Sequence, residues 1–376
     1  KIYMKIKIYD SFNQDLKKIW NDCYARSNAT IFQDYDWMFH WYEIFCGSLK
    51  TRLCATVIFK KNAPIAILPL CINSRKYFNI LEWVGVGVSD YQQPIIKNTE
   101  NISKNEYDII FKKILKDKKG IDLIHLNNIT KSFDNKHNCF IKHFECKKIS
   151  TSYEIFINKS YSEFIKENKS ISKQVKELQR QENNLNKTNK IIYIEYTDLK
   201  TRFLATEEMI SLKEKQYEKT GVKNIFKDAR FRNFYLGLLN YNQLKQKIHI
   251  SSLLLNQKII AIHFGLKDKT KYYYLMPAYN DDWRKSSPGG ILMNKIIKQS
   301  FSSDIDKFDF LPGDEKYKIR WSNSNQDIYE YISPKSLKGF LFFVLIGIKK
   351  ILKRNKYLKK IKYFLRILSN KYNKFK

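Results

Sequence analysis

The sequence is short of the residues that interrupt regular structure, with 12 glycines and 7 prolines among 376 residues. This scarcity excludes low-complexity linkers. Long apolar runs are also missing, since no stretch reaches the ~18 apolar residues that a membrane-spanning helix requires. The opening residues, KIYMKIKIYD, alternate charged and apolar side chains and lack the apolar core of a secretory signal. Together these absences favour a globular protein of the cytosol.

Several well-known catalytic motifs are absent as well: the Walker loop, the GxSxG nucleophile elbow and the HExxH zinc motif. The six cysteines are irregularly spaced and several lie in apolar, strand-like runs, so we expect reduced and mostly buried thiols. His137, Cys139, His143 and Cys146 lie close together in the sequence, but their spacing matches no common structural zinc pattern. We therefore expect no metal site.

What the chain does have is apolar and aromatic content, at 43% and 15% of its residues. This content is enough to bury substantial cores, and it excludes global disorder. A chain of 376 residues suits two domains of ordinary size with an appendage. We predict an α/β (α+β) protein with a first domain over residues 1–150, a second over 151–333 and a tail over 334–376.

The order of elements in the second domain is the most informative pattern. Three strand-like runs, Ile248 to Leu255, Lys258 to Leu266 and Tyr272 to Met276, are joined by short turns. A helix from Ile291 to Ser302 and a strand at Phe308 to Phe310 follow. This order predicts an antiparallel sheet that passes into a parallel crossover.

The loop SSPGG lies immediately before this predicted helix. Ser286 or Ser287 is the expected N-cap, and free backbone amides at the positive end of the helix dipole form an anion site. The pattern indicates a pyrophosphate cradle made by Arg284, Ser286, Ser287, Pro288, Gly289 and Gly290. The alternative is an ordinary turn before a helix, since the sequence Ser-Pro-Gly is common in turns.

A second polar segment, LPGDEKYKIRW, follows the last predicted strand. Sheets of α/β proteins place ligands at the carboxyl ends of strands, and Gly313 allows a ligand to approach the backbone closely. Asp314, Glu315, Tyr317 and Lys318 supply a carboxylate pair, a phenol and an ammonium group. The alternative is a polar exposed turn in which Asp314 pairs with Lys318.

Two further features have both a structural and a functional interpretation. SDYQQP, which contains Asp90 and Tyr91, follows an apolar strand and either contacts a substrate or forms a loop around a buried tyrosine. His263 lies between apolar neighbours in a predicted strand, where a structural histidine is the commoner case. A general base is the other possibility, because the histidine pKa suits that role.

Positive charge dominates the chain, whose formal net charge is +32. Such a charge attracts nucleic acid, anionic membranes or phosphorylated small molecules. Residues 334–376 contain 14 Lys and Arg and no Asp or Glu. Within them, the apolar run Leu337 to Ile348 precedes a stretch that alternates basic and apolar residues at helical spacing. The pattern fits a helix in an anionic membrane interface or a docked helix with a solvated basic face, and the absence of acids favours the membrane.

Seven segments, taken in order, resemble a known family. They are FQDYDW, APIAILPLC, SDYQQP, KIIAIHFGL, YYYLMPAYN, KSSPGGILM and FDFLPGDEKYKIRW. They resemble the GNAT-superfamily acetyltransferases of the CelD-like group, which is linked to cellulose and other exopolysaccharide synthesis. That group is similar to the FemAB-like transferases, which carry two GNAT-like domains. The likeness runs from about Phe32 to about Trp321, and it implies GNAT-like domains with mixed, largely antiparallel central sheets.

The resemblance also implies a chemistry. The donor would be acetyl-CoA or another acyl-CoA held at SSPGG, and the acceptor an amine or hydroxyl on a sugar nucleotide or glycan. In this fold a strand amide usually supplies the oxyanion donor. Glu315 or Asp314 would take the proton of the amine, and Tyr317 would protonate the thiolate. Lys318 would hold a phosphate or a sugar carboxylate. Further expected substrate contacts are Trp37, Asp90, Tyr91 and Gly313.

We therefore expect an acyltransferase at the cytoplasmic face of the membrane that acts in cell-envelope polysaccharide synthesis. One alternative is a FemAB-like aminoacyltransferase that uses charged tRNA, the only nucleic acid expected as a partner, which the positive charge would serve. However, the polar, basic helical stretch predicted from Tyr161 to Asn186 is short and lacks the apolar heptad seam of a coiled-coil arm. The other alternative is a non-catalytic member of a polysaccharide synthesis complex.

Overall fold

The computed structural model describes residues 4–75, 77–133, 136–188 and 190–354. The chain divides into two compact units. The first comprises the described residues up to Ser150 and from Gln326 onward, and the second runs from Thr151 to Asn325. The predicted membrane-facing stripe from Tyr357 to Leu368 lies outside the described residues.

The first unit contains a series of short strands with helices between them. In chain order the elements are β1 (Met4–Tyr9), α1 (Gln14–Ala25), α2 (Tyr35–Leu49), β2 (Thr51–Leu53), β3 (Ala55–Lys60), β4 (Ala63–Leu68), β5 (Leu70–Ser74), β6 (Asn79–Trp83), β7 (Ile95–Ile96), α3 (Lys104–Asp117), β8 (Leu123–Thr130), β9 (Ser132–Phe133), β10 (Lys136–His137) and α4 (Cys139–His143).

The second unit is built mainly of longer elements. They are β11 (Lys147–Phe156), which begins at the end of the first unit, α5 (Tyr161–Glu167), α6 (Lys169–Thr188), β12 (Ile191–Glu195), α7 (Leu199–Thr220), α8 (Ala229–Gly237), α9 (Asn242–Lys247), β13 (Ile248–Leu255), β14 (Lys258–Asp268), β15 (Lys271–Tyr279), α10 (Pro288–Ser300), β16 (Lys307–Pro312) and α11 (Lys316–Trp321). β17 (Ser324–Pro334) and α12 (Leu337–Arg354) return the chain to the first unit.

The strands of the first unit form a four-stranded antiparallel sheet, in the order β1-β3-β4-β7, and a second set in the order β17-β8-β6-β5-β2. In the second set β6 and β8 are parallel and the other neighbours are antiparallel. Helix α3 starts at a capping box between Ser103 and Glu106, and it buries Ile110 and Ile114 against this core.

The second unit has strands in the order β12-β13-β14-β15-β16-β11. β15 and β16 run parallel, and the other neighbours are antiparallel. Helices α6 and α10 bury residues such as Leu178, Ile291 and Ile296 in one core with Tyr274 and Phe310. The prediction of mixed, largely antiparallel sheets with a parallel crossover is confirmed.

Three details differ from the sequence-based expectations. The helical stretch predicted over Tyr161 to Asn186 consists of two helices, because the Asn168 side chain accepts hydrogen bonds from the amides of Ser170 and Ile171 and so starts α6. The polar segment after β16 contains a short helix, α11. Residues 326–333, predicted as part of the second domain, belong to the first unit because β17 pairs with β8.

Two further expectations concern the thiols and the apolar runs. All six cysteines, which lie within the described residues, are unpaired, and Cys23, Cys54 and Cys71 are buried. Over the described ranges, no helix has both the length and the apolar character needed to cross a bilayer.

A β-bulge in β15 shapes the second unit. Leu266 pairs with Tyr273 and Phe264 pairs with Met276, so two residues of β15 lie opposite the single residue Gly265 of β14. A Cβ atom at Gly265 would lie 2.4 Å from Cε1 of His263 and 2.6 Å from the Tyr272 hydroxyl. His263 and Tyr272 therefore lie so close to the backbone of Gly265 that a side chain at this position would clash with them.

We predict that Gly265→Ala destabilises the protein by about 1–3 kcal/mol, the usual cost of forcing an extra methyl group into a packed core. The control is Gly47→Ala in α2, where no atom lies within 4 Å of the added Cβ. Alanine at that helical position should be neutral or stabilising by up to about 1 kcal/mol. Urea unfolding measures both effects, and equal midpoints for wild type and Gly265→Ala would contradict the close packing at the bulge.

Candidate functional site

The parallel strands β15 and β16 stay together for only part of their length. Their paired residues are Lys271 with Lys307, Tyr272 with Phe308, and Tyr273 with Asp309. Beyond Tyr273, β15 continues beside β14 as far as Tyr279, while β16 continues beside β11 to Pro312. The two strands therefore diverge toward their carboxyl ends, where α/β proteins place ligands.

The bulge in β15 brings Tyr274, Pro277 and Tyr279 onto one side of the strand at this divergence. In an unbroken strand, residues 274 and 277 would point to opposite faces. One extra residue at the bulge reverses the alternation, so that all three side chains line the same cavity.

The cavity has a volume of about 460 Å³ and lies entirely within the second unit. Four helices and the strand β15 contribute to its wall. The lining residues are Gln174, Leu178, Lys213, Gln216, Tyr274, Pro277, Tyr279, Arg284, Ser287, Pro288, Gly289, Gly290, Met293, Glu315, Tyr317, Arg320 and Trp321.

The amino end of α10 forms one wall of this cavity. Ser287 has left-handed backbone angles, φ 48° and ψ 48°, and precedes Pro288 at the first helical position. Helix geometry leaves the amides of Gly289 and Gly290 without an intrahelical acceptor. Ser287 therefore occupies the predicted N-cap position, although its side chain makes no capping hydrogen bond.

The two glycines of this turn differ in the space around them. A Cβ at Gly290 would lie 2.9 Å from Cδ2 of Leu178, so this glycine allows α10 to pack closely on α6. The nearest atoms to a Cβ at Gly289 would be those of Tyr279, at an ordinary distance of 3.4 Å. Of the predicted cradle residues, Arg284, Ser287, Pro288, Gly289 and Gly290 line the cavity, whereas Ser286 does not.

The segment after β16 forms the opposite wall. Glu315 and Tyr317 line the cavity, whereas Asp314 is exposed and lies outside the lining. Gly313, with φ 141°, also lies outside it, and a Cβ there would meet the Glu315 carboxylate and the Lys318 ammonium. Gly313 therefore shapes the loop rather than lining the cavity.

Lys318 has a different role from the predicted one. Its side chain is 8% exposed, and Nζ lies 3.0 Å from the carbonyl oxygen of Pro312 and 3.3 Å from that of Leu311. The third contact is a 3.1 Å ion pair with Glu315, in place of the predicted pair with Asp314. These contacts use the three N–H donors of Lys318, so the side chain stabilises the loop after β16. It has no donor left for a phosphate.

Three phenols line the cavity, those of Tyr274, Tyr279 and Tyr317. Burial, with a smaller contribution from Glu315, raises the pKa of Tyr317, and burial together with Tyr317 raises the pKa of Tyr274 well above its usual range. Both hydroxyl groups therefore keep their protons at neutral pH. Tyr317 is the more accessible of the two and is held in place by an edge-to-face contact with Phe310, with ring centroids 6.1 Å apart.

Lys213 on α7 is a cavity residue that the sequence analysis missed. Burial lowers the pKa of its ammonium group to about 8, the Glu315 carboxylate opposes this shift, and Lys318 adds to it. Among the described residues it has no ion-pair partner, and its Nζ lies 5.7 Å over the Tyr217 ring. The only signal in the sequence was its helical spacing from the buried Met209 and Ile210.

Gln174, Gln216 and Arg320 were missed as well. The Nη1 atom of Arg320 donates a hydrogen bond to Gln174, and Nε2 of Gln216 donates one of 3.2 Å to the carbonyl oxygen of Tyr279. Arg320 lies within the motif LPGDEKYKIRW, but it was not among the site residues predicted from that motif. With Lys213 and Arg284, it gives the cavity three cations against the single carboxylate of Glu315.

His263 does not line the cavity. It is fully buried in β14, and its ring is stacked on Tyr274 with centroids 4.1 Å apart. Its Nδ1 lies 3.2 Å from the Tyr272 hydroxyl, which also bonds Nδ1 of His249 at 2.7 Å. Burial lowers the pKa of His263 well below its usual range. These contacts support the structural interpretation and correct its assignment as a general base, because the imidazole cannot reach a substrate.

Two of the predicted substrate contacts in the first unit are core residues. Trp37 is fully buried and donates a 3.0 Å hydrogen bond to Oγ of Ser89. Its ring and that of Tyr91 pack edge-on against Phe32, at 5.3 and 5.9 Å. Because Trp37 and Tyr91 are at most 1% exposed, they offer a substrate no surface. Asp90 is half-buried, and its role stays a prediction.

The described residues contain no cluster of His, Cys, Asp and Glu side chains that would hold a metal ion. The side chain of His137, which belonged to the zinc-like grouping, is not part of that description.

Comparison with known proteins supports the fold. Residues 172–319 match the family model described as "Acetyltransferase (GNAT) domain". Of the solved structures, FemX is similar with a TM-score of 0.59 and 10% identity, over 87% of this chain and 97% of that one. A domain of a putative lysylphosphatidylglycerol synthetase from Agrobacterium fabrum gives 0.54 and 8%, over 88% and 95%. A protein of unknown function from Bacteroides thetaiotaomicron gives 0.51 and 10%, over 87% and 99%.

A search of curated proteins gives no match for this sequence. The family model matches residues 172–319, less than half of the chain, and the similarity in fold to the solved structures extends over most of the chain. The predicted fold class, with GNAT-like domains and mixed sheets, is confirmed. The finer assignment to the CelD-like group stays a prediction.

We predict that Lys213 titrates near pH 8, about two units below an ordinary lysine. Labelling with an amine-selective reagent over a range of pH, followed by mass spectrometry, measures its midpoint. Glu315→Gln should move that midpoint to lower pH, because the carboxylate that favours the ammonium form is removed.

The matched control is Asp314→Asn, which removes the adjacent carboxylate outside the cavity and should leave the midpoint unchanged. Titration of Lys213 near pH 10 in the wild-type protein would contradict its burial in the cavity.

Proposed function

We propose that this protein transfers an acyl group from acetyl-CoA or another acyl-CoA to the amine of an amino sugar or glycan precursor in cell-envelope polysaccharide synthesis. The observation that carries the proposal is a single cavity that joins the amino end of α10 to Tyr317, Glu315 and Lys213. The match to a GNAT acetyltransferase domain over residues 172–319 supports the choice of donor.

The amino end of α10 suits the phosphates of the donor. The amides of Gly289 and Gly290 are free to donate, the dipole of α10 is positive at this end, and Arg284 adds a full charge. Gly289 leaves space that a ligand can occupy, since an added Cβ would meet nothing closer than 3.4 Å. The cradle predicted from SSPGG is thus the proposed donor site.

The thioester of the donor supplies an activated acyl group. In the proposed reaction the acceptor nitrogen forms a bond to the thioester carbonyl carbon, and the carbon–sulfur bond breaks. Lys213 in its neutral form, or Glu315, accepts the proton that the nitrogen loses. Tyr317 donates its proton to the leaving sulfur and recovers one from the base through solvent. The products are an amide and a free thiol.

The oxyanion needs a hydrogen-bond donor at the divergence of the strands. Pro277 has no N–H and is excluded from this role. At the bulge, two residues of β15, Tyr274 and Leu275, face the single residue Gly265, which leaves one backbone amide without its regular ladder partner. We assign the oxyanion donor to this amide.

Two observations support the proposed acceptor: the positive charge of the cavity and the resemblance of the sequence to a known family. Lys213, Arg284 and Arg320 give the cavity an excess of positive charge, which suits a phosphate-bearing acceptor such as a sugar nucleotide. The resemblance of SDYQQP, SSPGG and GDEKYK to the CelD-like group supports a role in polysaccharide synthesis, alone or in a synthesis complex.

We expect Tyr317→Phe to reduce kcat by about 10²–10⁴-fold, since the leaving thiolate loses its proton donor. The rate of free-thiol release from acetyl-CoA, with candidate amino-sugar nucleotides as acceptors, measures the effect. Asp314→Asn is the control within the same motif and should keep wild-type rates, because Asp314 lies outside the cavity. Wild-type turnover by Tyr317→Phe would remove this residue from the mechanism.

A second prediction concerns the donor site alone. Gly289→Asp should weaken CoA binding by at least about tenfold, because a carboxylate at the amino end of α10 repels phosphate. Gly289→Ala is the matched control, since its methyl group fits beside Tyr279 and adds no charge. Calorimetric titration with CoA distinguishes the two, and equal affinities for both variants would refute the cradle.

The second candidate function is transfer of an aminoacyl group from charged tRNA. The net charge of +32 and the fold likeness to FemX favour it. RNA that copurifies with the protein and is lost in high salt would support this candidate, whereas copurifying CoA would support the first. A protein that binds neither and keeps a stable membrane partner would instead be a non-catalytic component of a synthesis complex.

A further inference from the structure

Helix α12 exposes a continuous apolar face. Its exposed large apolar residues are between 40% and 85% accessible and recur at helical spacing: Leu337, Phe340, Leu341, Val344, Leu345 and Ile348. The segment from the first to the last of them is about 16 Å long. Apolar side chains scattered over a surface are ordinary, but a contiguous stripe of this kind marks an interaction site.

The other face of α12 already has a partner within the first unit. Phe342 packs on Phe78 with ring centroids 4.1 Å apart, and Nζ of Lys147 lies 5.9 Å over the ring of Phe343. The helix therefore lies on the unit with one apolar face covered and the other presented to the outside.

The start of α12 is fixed by Asp122. The Lys335 amide donates a 2.7 Å hydrogen bond to the carbonyl oxygen of Asp122, and the Ser336 hydroxyl bonds to its carboxylate. Gly339 lies against the same carbonyl, so closely that no side chain fits at this position. These contacts hold the helix in one orientation, and the exposed stripe is a property of that orientation.

The charges around the stripe identify the partner. Lys335 and Lys338 lie at the start of α12, and residues 334–376 contain 14 Lys and Arg without a single acid. An apolar stripe in a segment that carries many cations and no acid of its own fits a surface with an apolar interior and an anionic boundary, as in a bilayer that contains anionic lipids. Pairing with a second copy would bring two such segments together and is opposed by their repulsion.

We infer that α12 lies in the headgroup region of an anionic membrane, with the stripe from Leu337 to Ile348 inserted among the acyl chains and the Phe342 face against the protein. Lys335 and Lys338, which are exposed at the start of α12, contact the lipid headgroups. This contact places the first unit at a membrane surface and does not depend on the reaction that the second unit carries out.

The test compares two double variants. Phe340→Glu with Leu341→Glu puts two carboxylates into the stripe, and Ile109→Glu with Leu204→Glu makes the same change at exposed apolar residues outside α12. Each protein is sedimented with vesicles of phosphatidylcholine alone and of phosphatidylcholine mixed with phosphatidylglycerol. We expect wild type and control to pellet with the anionic vesicles, and the stripe variant to bind them at least about tenfold more weakly.

Three results would overturn the inference: wild-type protein that does not bind anionic vesicles, a stripe variant that pellets like wild type, or a control that loses binding equally.

Light scattering of the lipid-free proteins tests whether a second copy of the chain covers the stripe instead. A wild-type protein that is dimeric, together with a stripe variant that is monomeric, would assign the stripe to a second copy. Circular dichroism melting verifies that each variant is folded. Acyl transfer to a water-soluble acceptor should be unchanged in the stripe variant, which separates this inference from the proposed activity.

Discussion

The divergence of β15 from β16 is the constraint on which the candidate site depends. A strand can keep a full ladder on both edges only while its neighbours run alongside it, and β15 loses its parallel neighbour after Tyr273. The backbone groups released there require water or a ligand as partners. The bulge opposite Gly265 directs the side chains beyond this point into the opening, and α10 begins at its edge.

The loop after β16 is held by an internal cation rather than by packing alone. Lys318 joins two backbone carbonyls to the Glu315 carboxylate, and the open backbone at Gly313 makes room for that arrangement. The consequence for the site is indirect but large. The ammonium group of Lys318 is engaged with Glu315 and the backbone, whereas Lys213, Arg284 and Arg320 are the cations that line the cavity with Glu315 and Tyr317.

In the proposed activity and the proposed membrane contact, the positive charge of the chain acts in two different places. Inside the cavity, Lys213, Arg284 and Arg320 face a single carboxylate and favour an anionic ligand. Around α12, cations border an apolar stripe and favour an anionic surface. The net charge of the whole chain does not distinguish an anionic ligand from an anionic surface, because the position and burial of each charge decide what it binds.

The sequence by itself determined the order of the second unit, from the antiparallel meander through SSPGG and its helix to the last strand. It also marked Gly289, Gly290, Glu315 and Tyr317, because turn chemistry and helix starts are local properties. Only the tertiary structure decided the surroundings of Lys213, Lys318, His263 and Trp37. Each of these depends on contacts between residues far apart in the chain, and burial, which sets both accessibility and pKa, is not encoded in any short segment.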